Sequence, residues 1–454
     1  MNIVIAGAGE LGQLLAKKLT ANDHNVSMID SSPDVLDNIP ESLEVNLHSG
    51  SCIDPDILTK AGIRNADVLL AVSGDTATNV LACQIASRLG TPRTICRISD
   101  TSLFSSDKQL TPDSFCIWKY VSPPEECARK IEAVIGNRFL LEEIRFSHSD
   151  AVMQVLKIGP SFPLANARIK DMPIDSGLRD SIRFAAIIKG KEIVIPHGDT
   201  IFVPGDKVYV AGTSENVREF IRQATSDQPG AAASRVIISG ASEIGVRLAD
   251  MLASSGYDVR FIEKNPNTAE QLSDLVPPSV LVINGNPTDE EILKEAGAGG
   301  CDAFISVDED EEDNILSCVI AKKMGALKTI SVTSKPEYIL IVPRMDGIDC
   351  GISSSLVAVN AVLRMLETGT MRVDAYLDQY RAQLTEFRIS NSSPLCGRSL
   401  ATCKLPASTL FALMFRDQEV ITPSGSTIFR PGDIVVAIVK EESKDELDPL
   451  FPDR

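Results

Sequence analysis

The 454-residue chain has one tryptophan, four histidines and an aromatic content of only 5%. Basic charge is also scarce, with 44 Lys and Arg against 62 Asp and Glu and a net charge of −18. Neutralising phosphates takes clustered Lys and Arg, so this balance argues against a nucleic-acid binder. No run of 18 uncharged apolar residues occurs, which argues against a membrane-spanning helix. The opening Met1-Asn2-Ile3-Val4-Ile5 has no basic n-region or cleavage site, so no signal peptide is expected. None of the ten cysteines forms a C-x-x-C pair, and no histidine stands at ligand spacing from one. Buried, reduced thiols in a cytosolic protein, without zinc, are the expectation. An apolar content of 44% suits ordinary cores, and the length predicts three or four domains.

The most informative feature present is an internal repeat. Gly7-Ala8-Gly9-Glu10-Leu11-Gly12 recurs as Gly240-Ala241-Ser242-Glu243-Ile244-Gly245, and Asp30 recurs as Glu263. Ala61-Gly62, Asp67, Asp75, Asn79 and Gly90 recur as Ala296-Gly297, Asp302, Asp310, Asn314 and Gly325. Farther on, Ile201-Phe202-Val203-Pro204-Gly205-Asp206 matches Ile428-Phe429-Arg430-Pro431-Gly432-Asp433. The chain therefore reads as a tandem duplication of a two-part unit.

Each unit opens with short apolar strands alternating with helical periodicity, which predicts a doubly wound parallel sheet. In the first unit the strands are expected at Ile3–Ala6, Val26–Asp30, Val45–Leu47, Val68–Ser73 and Thr94–Ile98. The second part of each unit holds short β-type runs separated by Gly and Pro turns. The fold class is α/β: two tandem Rossmann-like lobes, each followed by a small β-rich (α+β) lobe. The expected boundaries are 1–138, 139–226, 234–371 and 384–454, with a small, flexible linker at 226–233.

Gly7-Ala8-Gly9-Glu10-Leu11-Gly12 follows a strand, opens a helix, lies in a βαβ unit, and has an acid, Asp30, at the end of the next strand. Together these conditions point to dinucleotide binding. Gly7 makes the turn, Gly9 admits a pyrophosphate, Gly12 packs the helix on the sheet, and the helix N-terminus faces the phosphates. Asp30 is placed to accept ribose hydroxyls and would repel a 2′-phosphate, which favours NAD over NADP. Ser73 and Gly74 end the fourth strand at the ligand-binding edge. Arg97 ends the fifth, either facing the phosphates or lying on the surface.

The second copy is degraded. Ser242 puts a side chain where a pyrophosphate would approach, and residues 308–313 are six consecutive acids. Glu263 still offers a ribose acceptor. The expectation is a first site that binds nucleotide well and a second that binds weakly or not at all. The acidic run is either a solvated loop or a carboxylate site for a divalent cation.

Catalytic residues are few. The second unit contains no histidine, so no histidine-based reaction is shared by both copies. His148 and His197 read as satisfied or surface residues. Tyr-x-x-x-Lys, nucleophile-elbow, Walker A and paired Glu/His metal motifs are missing. This favours a binding protein that changes shape with its ligand over an enzyme. An NAD-dependent oxidoreductase with duplicated domains is the alternative.

The glycine turn with its strand-end acid, the stretch 50–67, the Asn-x-x-x-Cys helix at 79–83 and the closing Pro-Gly-Asp lobe resemble the RCK, or KTN, domains that regulate potassium transport. Two such units in one chain are similar to the regulatory subunits of Trk potassium uptake systems. That resemblance implies a cytoplasmic protein attached peripherally under a membrane-embedded Trk channel subunit, assembled as a homo-oligomer, commonly a tetrameric ring. It implies NAD(H) and competing ATP or ADP as ligands whose binding gates the channel. Carried onto this sequence, the contacts are Gly7, Ala8, Gly9, Glu10, Leu11, Gly12, Asp30, Ser73, Gly74 and Arg97. Ser51 and Cys52 lie where the adenine base is read. The second-copy contacts are Gly240, Ala241, Ser242, Glu243, Ile244 and Glu263. Helices at 124–135 and 354–366 resemble the crossover helices that pair neighbouring lobes, with packing inside their own lobe as the alternative.

Overall fold

The computed structural model of the chain describes residues 1–104, 110–146, 149–160, 162–190, 192–225, 234–335, 338, 341–342, 345–366, 371–372, 377, 382–406 and 408–452. The expected linker and His148 lie outside these residues.

The first unit begins with β1 (Asn2–Ala6), α1 (Glu10–Thr20), β2 (Asn25–Asp30), α2 (Pro33–Asp37), β3 (Asn46–Ser49) and α3 (Pro55–Lys60). It continues through β4 (Val68–Ala71), α4 (Thr76–Leu89), β5 (Thr94–Arg97), β6 (Lys119–Val121) and α5 (Pro123–Ile135). The strands form one parallel sheet in the order β3-β2-β1-β4-β5-β6. The order reverses direction between β1 and β4, which opens the ligand crevice at their carboxyl ends. The strands are apolar because both sheet faces are buried. Ile3, Ile5, Val26, Met28 and Leu70 fill one face, and Val4, Ala6, Leu69 and Ala71 the other.

The first β-rich lobe contains β7 (Leu140–Arg145), β8 (Ala151–Lys157), α6 (Ser176–Ser181), β9 (Ile182–Lys189), β10 (Glu192–Val194), β11 (Lys207–Thr213) and α7 (Ser214–Thr225). Its antiparallel sheet runs β10-β9-β11-β8-β7. The sequence patterns did not anticipate β6, β7 or α7.

The second unit repeats the plan with β12 (Arg235–Ser239), α8 (Glu243–Ser254), β13 (Asp258–Glu263), α9 (Pro266–Leu275), β14 (Leu281–Asn284) and α10 (Glu290–Ala296). Then come β15 (Ala303–Ser306), α11 (Glu311–Met324), β16 (Thr329–Thr333), β17 (Cys350–Ser353) and α12 (Ser354–Leu366). Its parallel sheet has the matching order β14-β13-β12-β15-β16-β17. The last sheet is β18-β19-β22-β20-β21, from β18 (Met371–Arg372), β19 (Ala382–Arg388), β20 (Thr409–Arg416), β21 (Glu419–Ile421) and β22 (Ile434–Lys440).

The two units are interlocked. Cys127, Ala128, Ile131, Val134 and Ile135 of α5 pack among Val236, Ile238, Leu248 and Leu252 of the second unit. Reciprocally, Ala358, Val359, Val362, Leu363 and Leu366 of α12 pack among Ile3, Ile5, Leu15 and Leu19 of the first. Both helices thus cross to the opposite unit, and the alternative of packing inside their own lobe is overturned. An apolar stripe on a helix must be buried, and here the matching sheet face belongs to the other unit.

Polar contacts secure the exchange. Arg247 holds both carboxylate oxygens of Glu125, which keeps that carboxyl below its usual range. Arg364 pairs with Glu126 at 3.0 Å. The C-terminal carbonyls of each crossing helix accept from a lysine of the opposite unit. Lys119 donates to the Met365 carbonyl at 3.0 Å. Lys328, fully buried, donates to the carbonyls of Val134, Asn137 and Leu140. A cation at a helix C-terminus also complements the helix dipole. The two β-rich lobes pack sheet to sheet, with Met153, Val155, Ala185 and Tyr209 against Leu384, Leu413, Phe415 and Val436.

Burial pushes the Lys328 ammonium from its ordinary 10.5 down to about 8. Between those values the unfolded chain holds the proton that the folded chain has released. Stability should therefore rise with pH across that window, by at most about 3 kcal/mol, and stay flat below it. Lys328→Met should abolish the rise and cost about 2 kcal/mol at pH 7, because three carbonyls lose their donor. Urea unfolding midpoints of both proteins at several pH values measure this.

Candidate functional site

The first site forms where β1 ends and α1 begins. Gly7 adopts φ +108°, and a Cβ there would meet the Ser73 backbone at 2.8 Å. A Cβ on Gly12 would sit 2.0 Å from the Gly7 carbonyl oxygen, so only glycine lets α1 approach the turn. Gly9 faces open space, with nothing within 4 Å of where a Cβ would be. It precedes α1 without a side-chain cap, which leaves the first turn's N–H groups available to an anion.

Asp30 ends β2 beside this turn. The Ala8 N–H donates to its Oδ2 at 2.8 Å, and the Ser32 N–H donates to Oδ1 at 2.9 Å. Two backbone donors thus orient the carboxylate, and each oxygen keeps capacity for a hydroxyl.

Across the switch point, Asn79 ties the ends of β4 and β5 together. Its Oδ1 accepts from the Ser73 N–H at 3.0 Å, and its Nδ2 donates to the carbonyls of Ser73 and Arg97, each at 3.0 Å. Gly74 is exposed on the same edge. Arg97 is half-buried; its Nη1 reaches the Ser73 carbonyl at 3.5 Å while its Nε, shut from solvent, has no acceptor. Desolvation lowers its pKa, and Glu243 of the second unit partly opposes that. The alternative of a purely surface arginine is excluded. Ser51 is exposed on the loop after β3, whereas the Cys52 thiol is buried and pushed up by desolvation. Glu10 accepts from the Ser355 hydroxyl at 2.6 Å, joining the first turn to the start of α12.

The second copy keeps the frame and alters what fills it. Gly240 has φ +98°, and the Ala241 N–H donates to Glu263 Oε2 at 2.9 Å as Ala8 does to Asp30. Asn314 ties Asp308 to Val332, as Asn79 ties Ser73 to Arg97. Val332 therefore stands where the first site has its arginine. The Ser242 hydroxyl accepts from the Gly245 N–H at 3.3 Å and caps α8, occupying a donor that is free in the first copy. Glu243 and Ile244 follow in the first turn of that helix.

Five of the six acids have partners, two of them sharing one lysine. Lys264 reaches Asp313 at 2.9 Å and Asp308 at 3.5 Å, and Asp310 caps α11. Glu311 accepts from Ser334 and Lys335, and the Tyr338 hydroxyl holds Glu312 down to about 2. Among the described residues no group of three His, Cys, Asp or Glu is placed to hold a metal ion.

Residues 3–108 and 236–354 match the TrkA-N domain, and residues 153–225 and 384–451 match the TrkA-C domain. The chain belongs to the TrkA family. The Trk system potassium uptake protein TrkA of Vibrio alginolyticus is 27% identical, over 99% of this chain and 98% of its own. The TrkA homolog of Archaeoglobus fulgidus is 28% identical, over 99% of this chain and 100% of its own. A solved GsuK channel bound to NAD superposes with a TM-score of 0.59 at 17% identity, covering 100% of this chain and 79% of that one. At that identity the likeness is one of fold.

In the first TrkA-N copy the turn, Asp30, Ser73, Gly74 and Arg97 converge on the carboxyl edge of one sheet. The sequence reasoning gave Asn79 no role at the site, although its recurrence as Asn314 was the available signal. Ser355 and Lys264 had no comparable signal. His197 lies in the TrkA-C lobe, where its N–H donates to Thr200, away from either site.

Gly12→Ala should destabilise the first TrkA-N copy by about 3 kcal/mol or more, since a backbone oxygen cannot yield as a side chain can. Gly9→Ala should cost far less. Urea denaturation of the two variants against the parent measures the difference.

Proposed function

We propose that the chain is a non-catalytic, nucleotide-responsive regulatory subunit of a Trk-type potassium uptake system. The observation that carries this reading is the uncapped N-terminus of α1 beside an Asp30 carboxylate already oriented by two backbone donors. A diphosphate would lie on the turn from Gly7 to Gly12, its ribose on Asp30, its charge toward Arg97, and its base near Ser51 and Cys52. NAD(H) and ADP or ATP share these parts and would compete. The second copy, with Ser242, Val332 and Glu263, would bind weakly or remain empty.

The crossing helices supply the mechanical link. Glu10 in the first turn bonds Ser355 at the start of α12, so a ligand that shifts the turn shifts a helix embedded in both units. A nucleotide that binds one arrangement better would shift its population. The transport partner would be a membrane-embedded Trk channel subunit, with this chain attached peripherally at the cytoplasmic face as a homotetrameric ring. Relatives across the full length named as Trk potassium uptake proteins support this partner. Among the described residues no helix is long and apolar enough to cross a membrane. The four lobes would be bounded near 1–138, 139–226, 234–371 and 384–454.

An equilibrium fluorescence titration with NADH, followed by ATP as competitor, tests this reading. Saturable binding should be displaced by ATP, with one strong site per chain. Asp30→Ala and Gly9→Ser should each weaken it about tenfold or more, equivalent to 1.4 kcal/mol. Two equal sites, or no binding by the parent protein, would refute it.

A further inference from the structure

Carboxylates crowd the edge at which the first glycine turn would hold a phosphate. Asp30 ends β2, Asp75 caps α4 just after Gly74, and Glu10 opens α1. Arg97 brings a positive charge to the same edge, its Nη1 at 3.5 Å from the Ser73 carbonyl.

Glu10 is the carboxylate nearest in sequence to the phosphate position. It is the first residue of α1, directly after the uncapped Gly9. A negative side chain thus stands in the very turn whose N–H groups would meet the ligand. It does not swing free in solvent. Glu10 is half-buried, and its Oε1 accepts from the Ser355 hydroxyl at 2.6 Å. Ser355 is only 9% exposed, so the contact is shielded. Water and salt screen a charge held this way less than an exposed one. The second copy carries Glu243 at the equivalent position, and that charge reaches Arg97. The cation of the first site is therefore already partly countered by the second unit.

The candidate ligands differ in charge. A terminal phosphate carries roughly −1.5 to −2 near pH 7, whereas both phosphates of a dinucleotide are esterified on each side and lack the second ionisation. A fixed carboxylate beside the turn opposes ATP more than ADP, and ADP more than a dinucleotide.

We propose that Glu10 is a selectivity residue of the first site, disfavouring terminal phosphates so that a dinucleotide binds more tightly than ADP or ATP. This inference rests on the nucleotide-binding reading above and sharpens it. Ser355 holds the carboxylate in place, and the carboxylate's charge does the discriminating.

Two substitutions separate charge from hydrogen bond. Glu10→Gln removes the charge and keeps an oxygen that can accept from Ser355. Ser355→Ala removes the bond and keeps the charge. The test is the set of dissociation constants for NADH, ADP and ATP on the full chain, from NADH fluorescence titration and competition without divalent cations. The parent should bind NADH about threefold or more tighter than ADP, with ATP weakest. Glu10→Gln should narrow the ATP-to-NADH ratio about threefold or more, the gain being largest for ATP and smallest for NADH. Ser355→Ala should leave that ratio within about twofold of the parent. Circular dichroism and urea midpoints verify that the variants fold. If Glu10→Gln does not fold, Glu10→Ala, which also lacks the charge, decides in its place. No NADH binding by the parent would refute the nucleotide reading and this proposal with it. NADH binding with ATP equally tight in the parent, a ratio unchanged by Glu10→Gln, or a ratio moved as far by Ser355→Ala as by Glu10→Gln would overturn this proposal alone.

Discussion

The exchange of α5 and α12 is the constraint on which the rest of the molecule depends. Each parallel sheet has one face closed by its own helices and another closed partly by a helix from the opposite unit. In the first unit Leu15, Leu19 and Leu36 cover part of that second face, and α12 of the other unit completes it. At roughly 25 cal/mol per Å² of apolar surface removed from water, a whole helix stripe outweighs the surface ion pairs around it. Lys119 takes up the Met365 carbonyl near the end of α12, and Lys328 takes up the Val134 carbonyl near the end of α5 and those of Asn137 and Leu140 beyond it.

This arrangement places the two glycine turns within reach of the opposite unit. Glu10 meets Ser355, and Glu243 lies close enough to Arg97 to influence its charge. The first turn is thereby bonded directly to the helix that holds the units together.

The two copies keep one scaffold while differing in the residues at its carboxyl edge. The parts that hold the backbone are preserved: a left-handed glycine, a strand-end acid bonded to the turn, and an asparagine joining two strands. The parts that would meet a phosphate differ. A serine caps the helix, valine replaces arginine, and the edge carries acids engaged with Lys264, Ser334 and Tyr338. The second sheet thus keeps the first group of residues and differs in the second.

Much was legible in the residues because it rests on local or repeated chemistry. The glycine spacing, the strand-end acids, the 3.6-residue periodicity of 354–366 and the Pro-Gly-Asp turns each act within a few neighbours. The repeat announced two units, and Ser242 with residues 308–313 announced their inequality. Short strands such as β6 and β7 were not legible, because three to six residues at a sheet edge carry too little periodicity. Which unit each crossing helix covers, the carbonyls that Lys328 finds nearly two hundred residues away, and the partners of the acidic run were decided only by the tertiary structure. An apolar stripe or a charge specifies the kind of partner it needs, but which distant segment provides that partner depends on how the whole chain packs.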